Sequence, residues 1–126
     1  MFRLAVCLAA LALATPSLAE SLPKRVGHCA TTKVQRVETR LVGGDNQPVE
    51  GSGSAVDFAN GGYQVSYDTI AEIEASRPGD PVKICLVSIP EGCPPGDRRG
   101  RVYTTTNLRT NASWTLPDSE HSCGGA

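Results

Sequence analysis

The chain has 126 residues, with 12 basic and 13 acidic side chains for a net charge of −1 and 40% hydrophobic residues. That near-neutral balance lacks the basic field that nucleic-acid binding calls for, and the length supports one modest core rather than two domains. After the first nineteen residues no segment is apolar enough to span a bilayer, which takes about 20 apolar residues in a helix.

The chain opens with Arg3, an apolar run from Leu4 to Ala14, a helix-breaking Pro16 and the small-residue ending Ser17-Leu18-Ala19. This is the layout of a secretory signal peptide, residues 1–19, cleaved after Ala19. Residues 20–126 then form a single exported domain, periplasmic or secreted, and loss of Arg3 leaves 11 basic against 13 acidic residues. A lipid anchor on Cys7 is disfavoured, because Val6 stands where a small residue is expected and the apolar run continues past the cysteine.

Residues 33–42, "KVQRVETRLV", read as a strand with an irregularity near Arg36, with a helix as the competing reading. The Gly-, Ser-, Asn- and Pro-rich stretch 43–54 reads as a flexible loop. In "SAVDFANGGYQVSYD" (54–68), Asn60-Gly61 is a preferred central pair for a type I′ hairpin. That turn pairs Phe58 with Tyr63, Asp57 with Gln64 and Val56 with Val65. Phe58, Tyr63, Val56, Val65 and Tyr67 then share the apolar face, with Asp57, Gln64, Ala55 and Ser66 on the other.

Thr69-Ile70-Ala71-Glu72 matches a capping box and predicts a short helix ending near Arg77, before Pro78. "VKICLVSIP" (82–90) is the most apolar strand, and its mixed faces predict cover on both sides. "RVYTTTN" (101–107) and "SWTL" (113–116) predict a second hairpin around "LRTNA". Trp114, Tyr103, Tyr63, Tyr67 and Phe58 are assigned to the core. The sum is a mostly β chain: a small antiparallel barrel or roll, OB-like or SH3-like, with one short helix.

Cys29, Cys85, Cys93 and Cys123 remain after the leader, and four cysteines in an exported chain imply two disulfides. Loop entropy does not choose a pairing: 29–123 with 85–93 gives about 4.7 and 2.6 kcal/mol, and 29–85 with 93–123 about 4.2 and 3.7 kcal/mol. Geometry favours the second. A turn over Ile89-Pro90-Glu91-Gly92 sets Cys93 opposite Ser88, about 10 Å along the strand from Cys85, and a bridge reaches only roughly 7 Å.

Catalytic signatures are absent: there is no Cys-x-x-Cys, no Gly-x-Ser-x-Gly elbow, no His-Glu-x-x-His and no phosphate loop. His28-Cys29 and His121-Ser122-Cys123 carry the ligand types of a zinc site at a spacing that matches no standard pattern. Oxidation of the thiols competes with it, so neither a metal nor another cofactor is expected. The binding candidate is the loop 91–101, "EGCPPGDRRGR". Arg98, Arg99 and Arg101 on a segment stiffened by Pro94-Pro95 and a bridge at Cys93 can fork onto a carboxylate, phosphate or sulfate at low entropic cost. Its partner is an unknown protein or an anionic ligand of the cell envelope.

"SGSAVDFANGGYQVSYD" (52–68) and "KICLVSIPEGCPPGDRRGRVYTTTNLRTNASWTLPDSEHSCGGA" (83–126) resemble a group of small exported proteins of alphaproteobacterial type. The resemblance implies export and one small domain, and carries over no catalytic residue or ligand. In size, export, disulfides and β-rich pattern the chain is also similar to periplasmic lysozyme inhibitors, whose contact loop is Ser-Gly rich. "GSGSA" (51–55) is the segment that would answer to that loop.

Overall fold

The computed structural model describes residues 9–12 and 19–125; the expected leader, with Cys7, lies mostly outside the described residues. Six strands follow one another as β1 (Cys29–Thr39), β2 (Ser54–Phe58), β3 (Tyr63–Ser66), β4 (Pro81–Ser88), β5 (Val102–Asn107) and β6 (Ser113–Pro117). One helix, α1 (Ala71–Glu74), lies between β3 and β4. The strands form a single antiparallel sheet in the order β3-β2-β1-β4-β5-β6. The sheet curls into a half-barrel that brings β3 toward β6. Among the described residues no helix is long and apolar enough to cross a membrane.

The curl begins in β1. Cys29–Lys33 pair with β4, Val34–Thr39 pair with β2, and the β2 register slips between Val34 and Arg36, where the sequence predicted an irregularity. An extra residue in one strand bends it and reverses which parity faces inward. Ala30, Thr32 and Val34 point to the interior before the slip, and Val37 packs against the core after it. The strand starts four residues earlier than its local pattern indicates, because Cys29–Thr32 have a partner in β4 rather than an apolar face of their own.

Inside the curl, Val34, Val56, Phe58, Val82, Ile84, Leu86, Tyr103 and Trp114 form one core. Ile73 of α1 closes it and is 0% exposed, a burial worth about 2–3 kcal/mol. The 82–90 strand is covered on that side alone. Val87 and Ile89 are 43% and 39% exposed, because the single described helix has four residues and lies on the concave face. Tyr67 is likewise outside the core, 56% exposed, with the Arg40 guanidinium 4.3 Å from its ring centroid. Tyr63 is half-buried.

The first hairpin forms with a register one residue away from the expected one. Asp57 pairs with Tyr63, Val56 with Gln64 and Ala55 with Val65. A type I′ turn needs positive φ at both central residues, and here only Gly61 has it, at 86°. Phe58 accepts from the Gly61 N–H at 3.0 Å and donates its own N–H to Gly62 O at 2.8 Å, so the loop has three residues, Ala59 to Gly61. Asn60 stabilises it by accepting from the Gly62 N–H at 3.1 Å.

The slip turns Gln64 inward, where it is fully buried. Its Nε2 donates to Tyr103 O at 2.8 Å and Leu116 O at 3.1 Å. Its Oε1 accepts from Thr105 Oγ1 at 2.6 Å and Trp114 Nε1 at 2.9 Å. A side-chain amide thus joins β3 to β5 and β6 where no ladder pairs β3 with β6.

The capping box does not form. The helix starts after Ile70, which has no side-chain cap. Ser54 Oγ in β2 accepts the Ile70 N–H at 2.9 Å and donates to Glu74 Oε1 at 3.0 Å, so a tertiary contact replaces the local one. The "GSGSA" stretch is also not a free loop, since Ser52, Gly53, Ser54 and Ala55 are buried. Gly53 has φ 120°, and a Cβ there would sit 1.9 Å from Ser66 O, so the second glycine of the run is required by close backbone approach.

Candidate functional site

The bridges are Cys29–Cys85 and Cys93–Cys123, the expected pairing, although no turn over 89–92 sets Cys93 opposite Ser88, which pairs instead with Val102. Cys29 and Cys85 are register partners across β1 and β4. Cys93–Cys123 ties the 91–101 loop to the C-terminal tail, closing a loop whose entropy is worth about 3.7 kcal/mol.

Around that bridge the loop is bolted to the tail by polar contacts. The Arg99 guanidinium forks onto Asp97, Nε to Oδ1 at 3.0 Å and NH2 to Oδ2 at 2.9 Å, and NH2 also reaches Gly125 O at 3.0 Å. The Gly124 N–H donates to Asp97 Oδ2 at 3.0 Å, and the Cys123 N–H to Arg99 O at 2.9 Å. Asp118 receives the Gly100 N–H at 2.8 Å, and its own N–H reaches Arg101 O at 2.9 Å. Arg99, with help from the Gly124 and Arg99 N–H groups, holds the Asp97 carboxyl well below the usual carboxylate range, and Asp97 in return raises the guanidinium.

The three arginines therefore divide. Arg99 belongs to the clamp that shapes the loop. Arg98 is exposed and Arg101 half-buried, and among the described residues neither forms an ion pair. Arg98 stands between two depressions. The wider and more open one is lined by Pro95, Gly96, Asp97, Arg99 and Asp118 besides Arg98. The other lies between the loop and residues 21–24, where Arg98 and Arg101 meet Lys24 and Tyr103.

Nothing in the sequence marks Lys24 and Tyr103 as site residues, because nothing local places residues 20–27 beside residues 98–103. The fold does it through Glu20, whose N–H reaches Thr31 O at 2.9 Å and whose carboxylate accepts from the Thr31 N–H at 3.1 Å. The Thr31 hydroxyl donates to the same carboxylate, and this holds Glu20 below its ordinary pKa. Burial, then the Asp118 carboxylate, pushes the Tyr103 phenol up. At neutral pH it is an O–H donor.

The histidine-based arrangement is not assembled. Cys29 and Cys123 are oxidised to different partners, so His28 and His121 have no thiolate to share a metal with. Among the described residues no group of three His, Cys, Asp or Glu side chains is placed to hold a metal ion. The most buried carboxylate, Asp80, is engaged by Arg109 at 2.6 Å and 3.0 Å, by Asn107 Nδ2 at 2.9 Å and by the Arg77 N–H at 2.8 Å. These contacts, Arg109 foremost, hold it well below the usual range and keep it ionised in its ion pair.

What the geometry brings together is a loop tied to the tail by a disulfide and hydrogen bonds, with Arg98, Arg101 and Lys24 outside any ion pair among the described residues. No protein-family model, no curated protein and no solved structure matches the chain.

Proposed function

We propose that the chain is an exported, non-catalytic binding domain of the bacterial cell envelope, of the small alphaproteobacterial type, which holds an anionic partner on the 91–101 loop through Arg98 and Arg101. The observation that carries this reading is the division among the three arginines. Asp97 neutralises Arg99 within a bridged and hydrogen-bonded clamp, while Arg98 and Arg101 lack a carboxylate partner among the described residues. A rigid loop that presents forked donors loses little entropy on binding. Two disulfides fit an oxidising compartment. The lysozyme-inhibitor reading gains nothing from "GSGSA", because residues 52–55 of that stretch are buried in β2 and the turn before it.

The test is capture of partners from envelope extract by wild type and by Arg98→Ser/Arg101→Ser. Arg98 is exposed and Arg101 touches the core only at the Tyr103 hydroxyl, so the double variant is expected to keep its Tm within about 4 °C, as surface changes usually do, and to lose capture. Capture unchanged in the double variant would remove the loop from consideration.

A further inference from the structure

The groove beside the loop has lining residues from a distant part of the chain. Residues 20–27 are fastened at both ends, by Glu20 on Thr31 and by the Gly27 N–H on Leu86 O at 2.8 Å, with Pro23 buried between them. Lys24 is thereby held in one groove of about 290 Å³ with Ser21, Arg98, Arg101, Tyr103 and Asp118. Among the described residues none of the three cations forms an ion pair. The single acid in the groove, Asp118, accepts the Gly100 N–H at 2.8 Å. Three cations against one carboxylate leave an excess of two positive charges. The space is at the small end for ligand pockets, enough for one tetrahedral group and a few attached atoms.

We infer that this groove binds a phosphate monoester; the inference rests on the proposed anionic contact at the loop and names its chemistry. Such a group carries close to two negative charges at neutral pH and three strong acceptor oxygens, which answers the charge excess. Arg98 and Arg101 supply forked donors for its oxygen edges and Lys24 adds a point charge. The neutral Tyr103 phenol and the Ser21 hydroxyl are further donors. A carboxylate would answer half of that charge. Soluble glycerol- or sugar-phosphates and a lipid headgroup share the chemistry.

Two binding measurements on the disulfide-intact protein at low salt test the assignment. The probes are glycerol 3-phosphate by isothermal titration calorimetry, and phosphatidic acid in phosphatidylcholine vesicles by co-sedimentation. Saturable binding to at least one probe is expected, at least fivefold tighter than to acetate or to phosphatidylglycerol vesicles. The probe that binds names the source as soluble or membrane-borne. Lys24→Ser should weaken binding at least fivefold and Arg98→Ser/Arg101→Ser at least twentyfold, with both variants melting as wild type. Binding of neither probe, equal binding of the controls, or wild-type affinity in Lys24→Ser would overturn the phosphate site. If the double arginine variant still loses partner capture in that event, the loop reading stands without it; if capture is also unchanged, both fall.

Discussion

Gln64 joins the two sides of the sheet with one side chain. Its amide uses both N–H donors and both acceptor positions on Tyr103 O, Leu116 O, Thr105 and Trp114, so a fully buried polar residue is fully satisfied. Alanine there would strand an indole N–H and a hydroxyl in the interior, at about 1–3 kcal/mol for each group left unpaired, while Tyr103 and Leu116 remain partners in the β5–β6 ladder. Gln64→Ala is expected to lower unfolding stability by about 4 kcal/mol in urea titrations with an unchanged m value. A loss under about 1 kcal/mol would show that those groups find other partners. The sequence places Gln64 in a hairpin but does not show it as buried. Asn60-Gly61 suits both a two-residue turn and a three-residue loop ending on glycine, and that difference turns every β3 side chain over. The Ser-Gly run misleads for a related reason: its glycine is needed for a backbone approach to Ser66 that only the assembled sheet creates.

Most elements were legible because their signals are local. β2, β4, β5 and β6 follow from alternation and turn residues, whereas the short helix is present but lacks its expected cap and ends at Glu74, three residues before Arg77. The first residues of β1 were not legible, since Cys29-Ala30-Thr31-Thr32 carries little apolar pattern and becomes a strand by pairing with β4. Long-range pairing also governs Asp80, which fastens the turn before β4 to the β5–β6 turn through Asn107 and Arg109. Its carboxyl binds a proton more weakly in the folded chain than in the unfolded one, where an aspartate titrates near about 3.9. Below that pH the unfolded state takes up a proton that the folded state does not, so stability present at higher pH is lost as pH falls. Thermal melts between pH 6 and pH 3 are expected to show a steep drop in Tm below about pH 4. Asp80→Asn should be less stable at pH 6 and shallower across that window, with the remaining slope due to Asp97 and Glu20. Equal slopes in the two proteins would remove Asp80 from the acid response.

At the scale of the molecule, a mostly β, disulfide-bonded curl could be read from strand spacing and four cysteines. The loop arginines could be read from composition, but their separation into a clamp and two cations with no ion pair among the described residues could not. That depends on Asp97 meeting Arg99 and on the tail lying alongside, contacts set by the Cys93–Cys123 bridge. The meeting of β3 with β6 through a side chain, without a ladder, has a dynamic consequence. The half-barrel should breathe along that line first. Amide hydrogen exchange is expected to release Tyr63–Ser66 and Ser113–Pro117 well before β1 and β4, which have a strand on each side and a disulfide between them. Uniform protection would mean that the seam is as firm as a ladder. Each such opening bares two strand borders at once, and pairing of those borders between molecules is the route by which this fold would aggregate in concentrated solution.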